Sequence, residues 1–339
     1  MSTVTADMEV VPAPRAEGRA VHPVRSLLAW RVPLGALSVA AVAVITYFAT
    51  RVLPGDAATA ILGQNATPQR LALVREQLGL NQSVVGGFTT WVGDFASGHF
   101  GNSLVQSRPV TDVVMPKLAN SAVLVVVVAL VSTILGAVFG VLAAYWRDKR
   151  FDDVSSVLSL VASALPEFVV GVFVVFVFGI GIFTWFPAVS ILPPDQRIWD
   201  QPNKIVLPVL TLVIVTMPYM FRMVRAAVIE ALNSDYAEVA ELKGVSAPRL
   251  LFGHALPNAL APAVQVFGLN VLYLAGGIVL VETVFQYPGI GLTLVNAITS
   301  RDVPVLQFIV VLLAIFYVTL NILTDVIVLL VTPRRRAPR

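Results

Sequence analysis

The residues able to do chemistry are few, and most stand in apolar company. Glu167 lies within one apolar stretch, Glu282 closes another, and Asn321 and Asp325 sit in a third. A charge at the centre of a hydrocarbon layer costs roughly 2.5–3.5 kcal/mol on insertion scales. Each such group therefore needs a partner, a polar route or a place near an interface. Two readings of Glu167 stand side by side. Either it faces a solute pathway, with Ser163 and Pro166 beside it, or it is a shallow, snorkelling or protonated carboxyl. Glu282 reads as a residue near the outer interface that gates or orders a loop. Asn321 and Asp325 are four apart and share a helix face. That face lines a pathway or hydrogen-bonds a neighbouring helix, which is the commoner use of polar residues in bundles.

This is not the equipment of a catalyst. Cysteine is absent, which excludes disulfides, thiolate metal sites and cysteine nucleophiles together. The three histidines, His22, His99 and His254, leave little for an imidazole site. Neither H-E-x-x-H nor G-x-S-x-G occurs, and no G-x-x-x-x-G-K-[ST] loop could hold ATP. We expect no catalytic residue, no metal and no cofactor in this chain.

Composition says what must position these groups. The chain is 57% hydrophobic and only 13% charged, with a mean hydropathy of +0.83. A soluble domain is about half apolar and about a quarter charged, so this excess requires lipid as solvent. The net charge of +3 is spread in short runs between apolar stretches. There is no continuous basic stripe of the kind that binds nucleic acid.

Along the chain, residues 1–26 have no periodicity and read as a mobile cytoplasmic tail. The charge-free run Val32–Thr50 is long enough to span and is not closed by an A-x-A-like site, so it reads as an uncleaved first helix over 27–51. Five further apolar stretches fall near 118–146, 154–186, 205–221, 259–284 and 305–331. The stretch at 154–186 could hold one span or two, and charge decides. With six spans, one side of the membrane holds 15 of the 23 Lys and Arg, and by the positive-inside bias that side, with both termini, is cytoplasmic. The expected organisation is an external segment 52–117, a transmembrane core 118–332 and a basic tail 333–339. In the external segment Thr67, Pro68 and Gly79 have the types of a helix N-cap, first position and C-cap, and a second helix runs from Ser83 towards Gly98.

The most informative segment is the cytoplasmic one at 233–258. Asp235 and Glu238 have capping-box spacing, Gly244 suits a left-handed stop, and Ser246 with Pro248 can start a second helix. Pro257 marks a bend. Two short helices joined by a glycine turn make a rigid, exposed element over 235–257 that can pass force from a soluble partner into the flanking spans.

Here the sequence resembles the permease subunits of ATP-binding-cassette importers. Their cytoplasmic signature, E-A-A, three residues, G, nine residues, I-x-L-P, is matched by Glu238-Val239-Ala240, Gly244 and Leu256-Pro257. Val239 and His254 depart from it as the peptide branch does, where Tyr236, Lys243-Gly244 and His254-Ala255-Leu256 with Asn258 are usual. Leu53-Pro54-Gly55-Asp56, Leu78-Gly79-Leu80-Asn81, Trp91 and Phe100-Gly101-Asn102-Ser103 resemble the external segments of dipeptide and oligopeptide permeases. Ser163-Ala164-Leu165-Pro166-Glu167-Phe168, the run Glu282–Gly291, Arg301-Asp302-Val303-Pro304 and Pro333-Arg334 also match. Thr332 stands where the family has Asp.

The resemblance implies an all-α integral membrane protein with the six-helix type I importer permease fold, in a bacterial cytoplasmic membrane. It implies an ATPase-docking set of Tyr236, Glu238, Ala240, Lys243, Gly244, His254, Leu256 and Pro257. It implies a second homologous permease, two ATPase subunits that bind ATP and Mg, an extracytoplasmic solute-binding protein and a peptide substrate. Asp56, Trp91, Tyr287, Pro288, Gly289, Arg301 and Asp302 become candidates for contact with the binding protein, although Tyr287-Pro288-Gly289 reads first as a turn. The same machinery in related permeases carries nickel chelates or glycans. A carrier driven by an ion gradient is the alternative from another class, and it would show internal repeats or several intramembrane acids.

Overall fold

The computed structural model describes residues 23–52, 67–77, 83–193 and 196–331. The expectations placed on the first 22 residues, on Leu53–Asp56, on Leu78–Asn81 with the Gly79 cap, and on Thr332 and beyond lie outside the described residues. Within them the chain is helical, and the sole extended pairing is an isolated antiparallel bridge between Asn102 and Pro109.

Helix α1 (Pro23–Val52) is followed by two short helices, α2 (Pro68–Gln77) and α3 (Val84–Ala96), and then by the long α4 (Val110–Tyr145). The local signals behave as their chemistry requires. The Leu71 amide donates to the Thr67 carbonyl, and the Ser83 hydroxyl caps α3 by accepting from the Gly86 amide at 3.2 Å. An aromatic seam of Tyr47, Phe88, Trp91 and Phe95 then seats α3 against α1, with centroids 5.3–5.7 Å apart.

The third apolar stretch is not one straight helix. It is broken into α5 (Arg150–Ala164) and α6 (Glu167–Val175), the latter carried on by a π turn over Phe176–Ile180. The two arms are bent by 105°. Proline is the cause. Leu165, which precedes it, is extended at φ −89°, ψ 134°, because a residue before proline is driven from helical geometry. Each arm is about 21–22 Å long at ~1.5 Å per residue, short of the ~30 Å of a hydrocarbon core. Counted as one broken span, the pair joins five long apolar helices to make six.

After the break come α7 (Val206–Leu232), α8 (Asp235–Leu242) and α9 (Ala247–Leu250), then α10 (Leu256–Val284), α11 (Ile290–Thr299) and α12 (Val303–Val331). Helix α7 is the hub. It packs along α4 and α10 and supports both arms of the broken span, while α1 pairs with α12 on the flank. The α4–α7 approach is close because of two glycines. A Cβ on Gly136 would lie 2.7 Å from Met220, and one on Gly140 would lie 2.7 Å from the Phe221 carbonyl. That is the small-residue seam expected of helices packed without a hydrophobic driving force. Gly276 and Gly277 on α10 form no such seam. Gly276 faces open space, and Gly277 is approached by the Glu167 carboxylate.

Candidate functional site

The exposed corner made by α8 and α9 is built from the backbone outward. Ser234 is the N-cap of α8, and its hydroxyl donates to the Ala231 carbonyl at 2.6 Å. The helix therefore starts one residue before the expected position, and the Asp235–Glu238 capping box does not form. Asp235 instead occupies the first turn, where a carboxylate complements the helix dipole, and Glu238 is exposed. Gly244 closes α8 at φ +78°. The Val245 amide reaches the Ala240 carbonyl at 3.1 Å, and the Gly244 amide reaches that of Glu241 at 2.8 Å. This paired closure needs a left-handed residue, which glycine supplies without strain.

Helical geometry does not break before Pro257, where a bend was expected. Helix α9 runs into α10 through a π turn, Leu251–Ala255, in which the Leu256 amide donates to the Leu251 carbonyl. A wider turn is how a helix absorbs a proline without breaking. The element is thus one short helix and a glycine corner rooted in a span, rather than two separate helices. Ala237 is buried on its inner side, whereas Val239, Leu242 and Phe252 are exposed, Leu242 at 82%. Lys243 and Gly244 are exposed beside them, with Ala240 and Leu256 half-buried. Tyr236, His254 and Pro257 lie on the same helices by backbone.

At the break of the third span, Ser163 and Pro166 are exposed and Glu167 is half-buried. Pro166 is the N-cap of α6, so Glu167 is its first residue. Arg222 of α7 donates from Nη1 to the Ser163 hydroxyl at 2.9 Å. Tyr273 of α10 donates its phenolic hydrogen to Oε1 of Glu167. Both arms of the break are therefore tied to the two helices that run to the corner.

The remaining candidates are fixed within the fold. Glu282 is fully buried, and its carboxylate organises the turn into α11. It accepts from the Ser121 hydroxyl at 2.5 Å and from the Gly291 and Leu292 amides at 2.7 and 3.1 Å. A carboxylate at the first turn of a helix meets its unpaired amides and its dipole together. Of the two roles read for Glu282, this geometry is that of loop ordering. Tyr287 donates to the Asn120 carbonyl at 2.7 Å, and the Asn120 amide donates to the Pro288 carbonyl at 2.9 Å. Burial, and then the nearby Glu282 carboxylate, push the Tyr287 phenol well above its ordinary range.

Of the candidates for partner contact, three are enclosed by the chain itself. Tyr287 and Gly289 are buried, and Pro288 is half-buried. Asp302 is buried as well. It accepts the Ser103 hydroxyl and, at 3.1 Å, the Leu104 amide, so it clamps the 101–109 loop to the start of α12. Arg301 beside it is half-buried in a left-handed conformation, φ +55°. Trp91 is committed to the seam against α1. Asp56 lies outside the described residues. Asp325 is paired with Arg31 of α1 at 2.8 Å, and Asn321 bonds the Tyr317 carbonyl of its own helix at 3.2 Å. The polar pair on α12 is thus used for helix association and local bonding.

Comparison with known proteins fits this architecture. Residues 136–337 match the model of the binding-protein-dependent transport system inner membrane component, and residues 25–125 match that of its N-terminal region. The chain is 36% identical over 298 residues to a probable peptide ABC transporter permease protein of Sinorhizobium fredii, covering 88% of this chain and 95% of that one. This chain belongs to that permease family. It is also 33% identical to the glutathione transport system permease protein of Shigella flexneri, covering 87% of this chain and 94% of that one. A putative peptide transport system permease protein of Brucella abortus is 32% identical over the same share of this chain. The permease is therefore a multi-pass inner membrane protein and a transport subunit of an importer.

The permease also holds interactions that its sequence did not announce. Asp152 of α5 is buried and takes a forked pair of bonds from Arg225 of α7, Nε to Oδ1 at 2.5 Å and Nη2 to Oδ2 at 2.6 Å. It also accepts from the Asp148 amide at 3.2 Å. In the sequence Asp152 is one of several loop charges and Arg225 one of several cytoplasmic cations. Tyr273 and Ser121 were likewise invisible, being ordinary members of apolar runs. For each, the signal is a partner on another helix.

Proposed function

We propose that this chain is one of two permease subunits of an ATP-binding-cassette importer that carries small peptides or peptide-like solutes by alternating access. Both termini are cytoplasmic in this reading, and the α8–α9 corner enters a cleft of an ATPase subunit. ATP and Mg belong to the two ATPase subunits, and an extracytoplasmic binding protein delivers the solute at the other end of the bundle. The observation that carries the reading is the corner itself. Three apolar side chains, Val239, Leu242 and Phe252, are uncovered among Glu238, Glu241, Lys243 and Arg249, on an element continuous with α10. Exposed apolar groups with a charged rim mark an interface.

Substrate class rests on the relatives, whose names specify peptides and glutathione, itself a tripeptide. The break at Ser163, Pro166 and Glu167 lines the route in this reading. Polar and charged side chains partly open among apolar helices cost too much against lipid and fit a wet passage.

Leu242→Asp tests the docking. Purified in mild detergent, the variant is expected to leave the ATPase subunits behind while its helical content is unchanged. Native mass spectrometry showing the full assembly with that variant would remove the corner from the interface. A wild-type chain isolated alone, with no ATPase under conditions that preserve such complexes, would favour the ion-driven carrier.

A further inference from the structure

We propose that the break in the third span is a two-pole recognition site for a zwitterionic peptide backbone. In it Arg222 receives the terminal carboxylate, and Glu167, steadied by Tyr273, receives the terminal ammonium. The inference rests on the pathway reading above and adds the residues and the ligand chemistry.

The contrast between two arginines carries the argument. Arg225 is neutralised by a forked bond to Asp152. Arg222, three residues earlier on the same helix, spends one Nη1 hydrogen on a neutral hydroxyl. Glu167 likewise accepts from a neutral phenol. Neither joins an ion pair among the described residues. Two opposite charges, each partly open, thus stand where α5, α6, α7 and α10 meet. Two other acids on the spans are paired, at Asp152–Arg225 and Asp325–Arg31.

The chemistry available at each pole is specific. A guanidinium carries five N–H donors in a planar fork that matches a carboxylate. With one hydrogen held by Ser163, the others remain for a ligand. Glu167 uses Oε1 for Tyr273, leaving Oε2 to accept from an ammonium. Gly277 stands next to that carboxylate, where a Cβ would come within 3.1 Å of Oε1. The space beside the acid is kept clear of side chain. Ser163 and Glu167 are four positions apart, so their backbones lie within about 14 Å even if extended. The termini of a dipeptide to tetrapeptide span that range at ~3.5 Å per residue. Recognition confined to the two termini reads no side chain, as a carrier of varied peptides requires.

This chain has no cysteine of its own, so label at position 163 is read on this chain after the subunits are separated, against the cysteine-free wild-type chain. Ser163→Cys in the assembled complex is first treated with a water-soluble, membrane-impermeant thiol reagent in open vesicles. Labelling supports the pathway. No labelling removes the pathway reading and this inference with it. Equilibrium dialysis then measures binding of trialanine, N-acetyl-trialanine and trialanine amide to the purified complex stripped of binding protein. Wild type is expected to hold trialanine about tenfold tighter than either blocked peptide, the factor expected from losing one charged hydrogen bond. Arg222→Gln should erase discrimination against the amide alone, and Glu167→Gln against the acetylated peptide alone. Each variant checks the folding of the other, and Arg222→Lys should restore part of the discrimination. Labelling at position 163 with equal binding of all three peptides by wild type, or with no binding of trialanine, overturns the two-pole site and leaves the pathway standing.

Discussion

The buried pair Asp152–Arg225 offers the sharpest energetic test of how the broken span is held. Removing the carboxylate by Asp152→Leu deletes two charge-assisted bonds, each worth a net of about 1.5–3 kcal/mol. It also leaves a guanidinium without its counter-charge. For a fully buried pair, losing one partner costs about 3–5 kcal/mol. Here the Arg225 side chain stays 29% exposed, against 3% for Asp152. Water and headgroups can recover part of the loss, so about 2–4 kcal/mol is expected. Arg225→Met alone strands a buried carboxylate and should cost at least as much. The double variant, Asp152→Leu with Arg225→Met, replaces the pair with apolar groups of similar size and should recover most of either loss. The assay is reversible unfolding by SDS in mixed micelles, read by tryptophan fluorescence and assembled into a double-mutant cycle. A coupling of about 1.5–3 kcal/mol is expected for contacting charges. A coupling below about 0.5 kcal/mol, the level of a surface ion pair, would refute the claim that this pair binds α5 to α7.

Gly289→Ala should unfold the turn into α11, because its Cβ would sit among the atoms of the Glu282 carboxyl. Gly276→Ala, facing open space, should be neutral or stabilise by up to about 1 kcal/mol through helix propensity. Hydrogen exchange at Gly291 and Leu292 tells the two apart, and protection retained in Gly289→Ala would contradict the packing described. Asp302→Ala should release the 101–109 loop and abolish protection of the Leu104 amide while leaving that of α12 intact, at a cost of about 1–3 kcal/mol. Arg31→Gln should cost no more than about 1 kcal/mol, since the pair with Asp325 is largely open. A larger loss in the same SDS titration would mean that α1 relies on that bond to hold α12.

Much of the fold was legible because it depends on local rules. Apolar length located five spans, Ser83 announced the start of α3, and Gly244 announced the end of α8. The broken span was not, since hydropathy averages over a window and is blind to direction. The proline was visible at position 166, but nothing local says that the chain turns through 105° there. The corner was misread in a similar way at Pro257, where proline signals a break and the helix answered with a π turn instead. Site residues split along the same line. Gly244 acts through its own backbone and could be found from one position. Glu282, Tyr287 and Asp302 act through partners 9 to 199 residues away. Their motif looked like a surface because polar and turn residues commonly are one, whereas these bury their polar atoms against each other.

The connectivity makes the broken span the natural moving part. The α8–α9 corner enters the bundle through α7 on one side and α10 on the other, and those helices are packed along each other. Each also holds one arm of the break, α7 through Arg222 to Ser163 and α10 through Tyr273 to Glu167. A displacement of the corner that changes the relation of α7 to α10 cannot leave both bonds unchanged unless α5 and α6 move with them. The arms meet at an extended Leu165 and at Pro166, which carry no intrahelical hydrogen bond across the joint. A hinge needs a few residues able to absorb a change in φ and ψ, and these are placed to do it. Meanwhile the forked Asp152–Arg225 pair fixes the start of α5 to α7, and buried Glu282 fixes the far end of α10. In the proposed transport cycle the motion would fall on this joint, beside Arg222 and Glu167, which join no ion pair among the described residues. A solute bound between those charges would be released by the same change in geometry that the corner imposes.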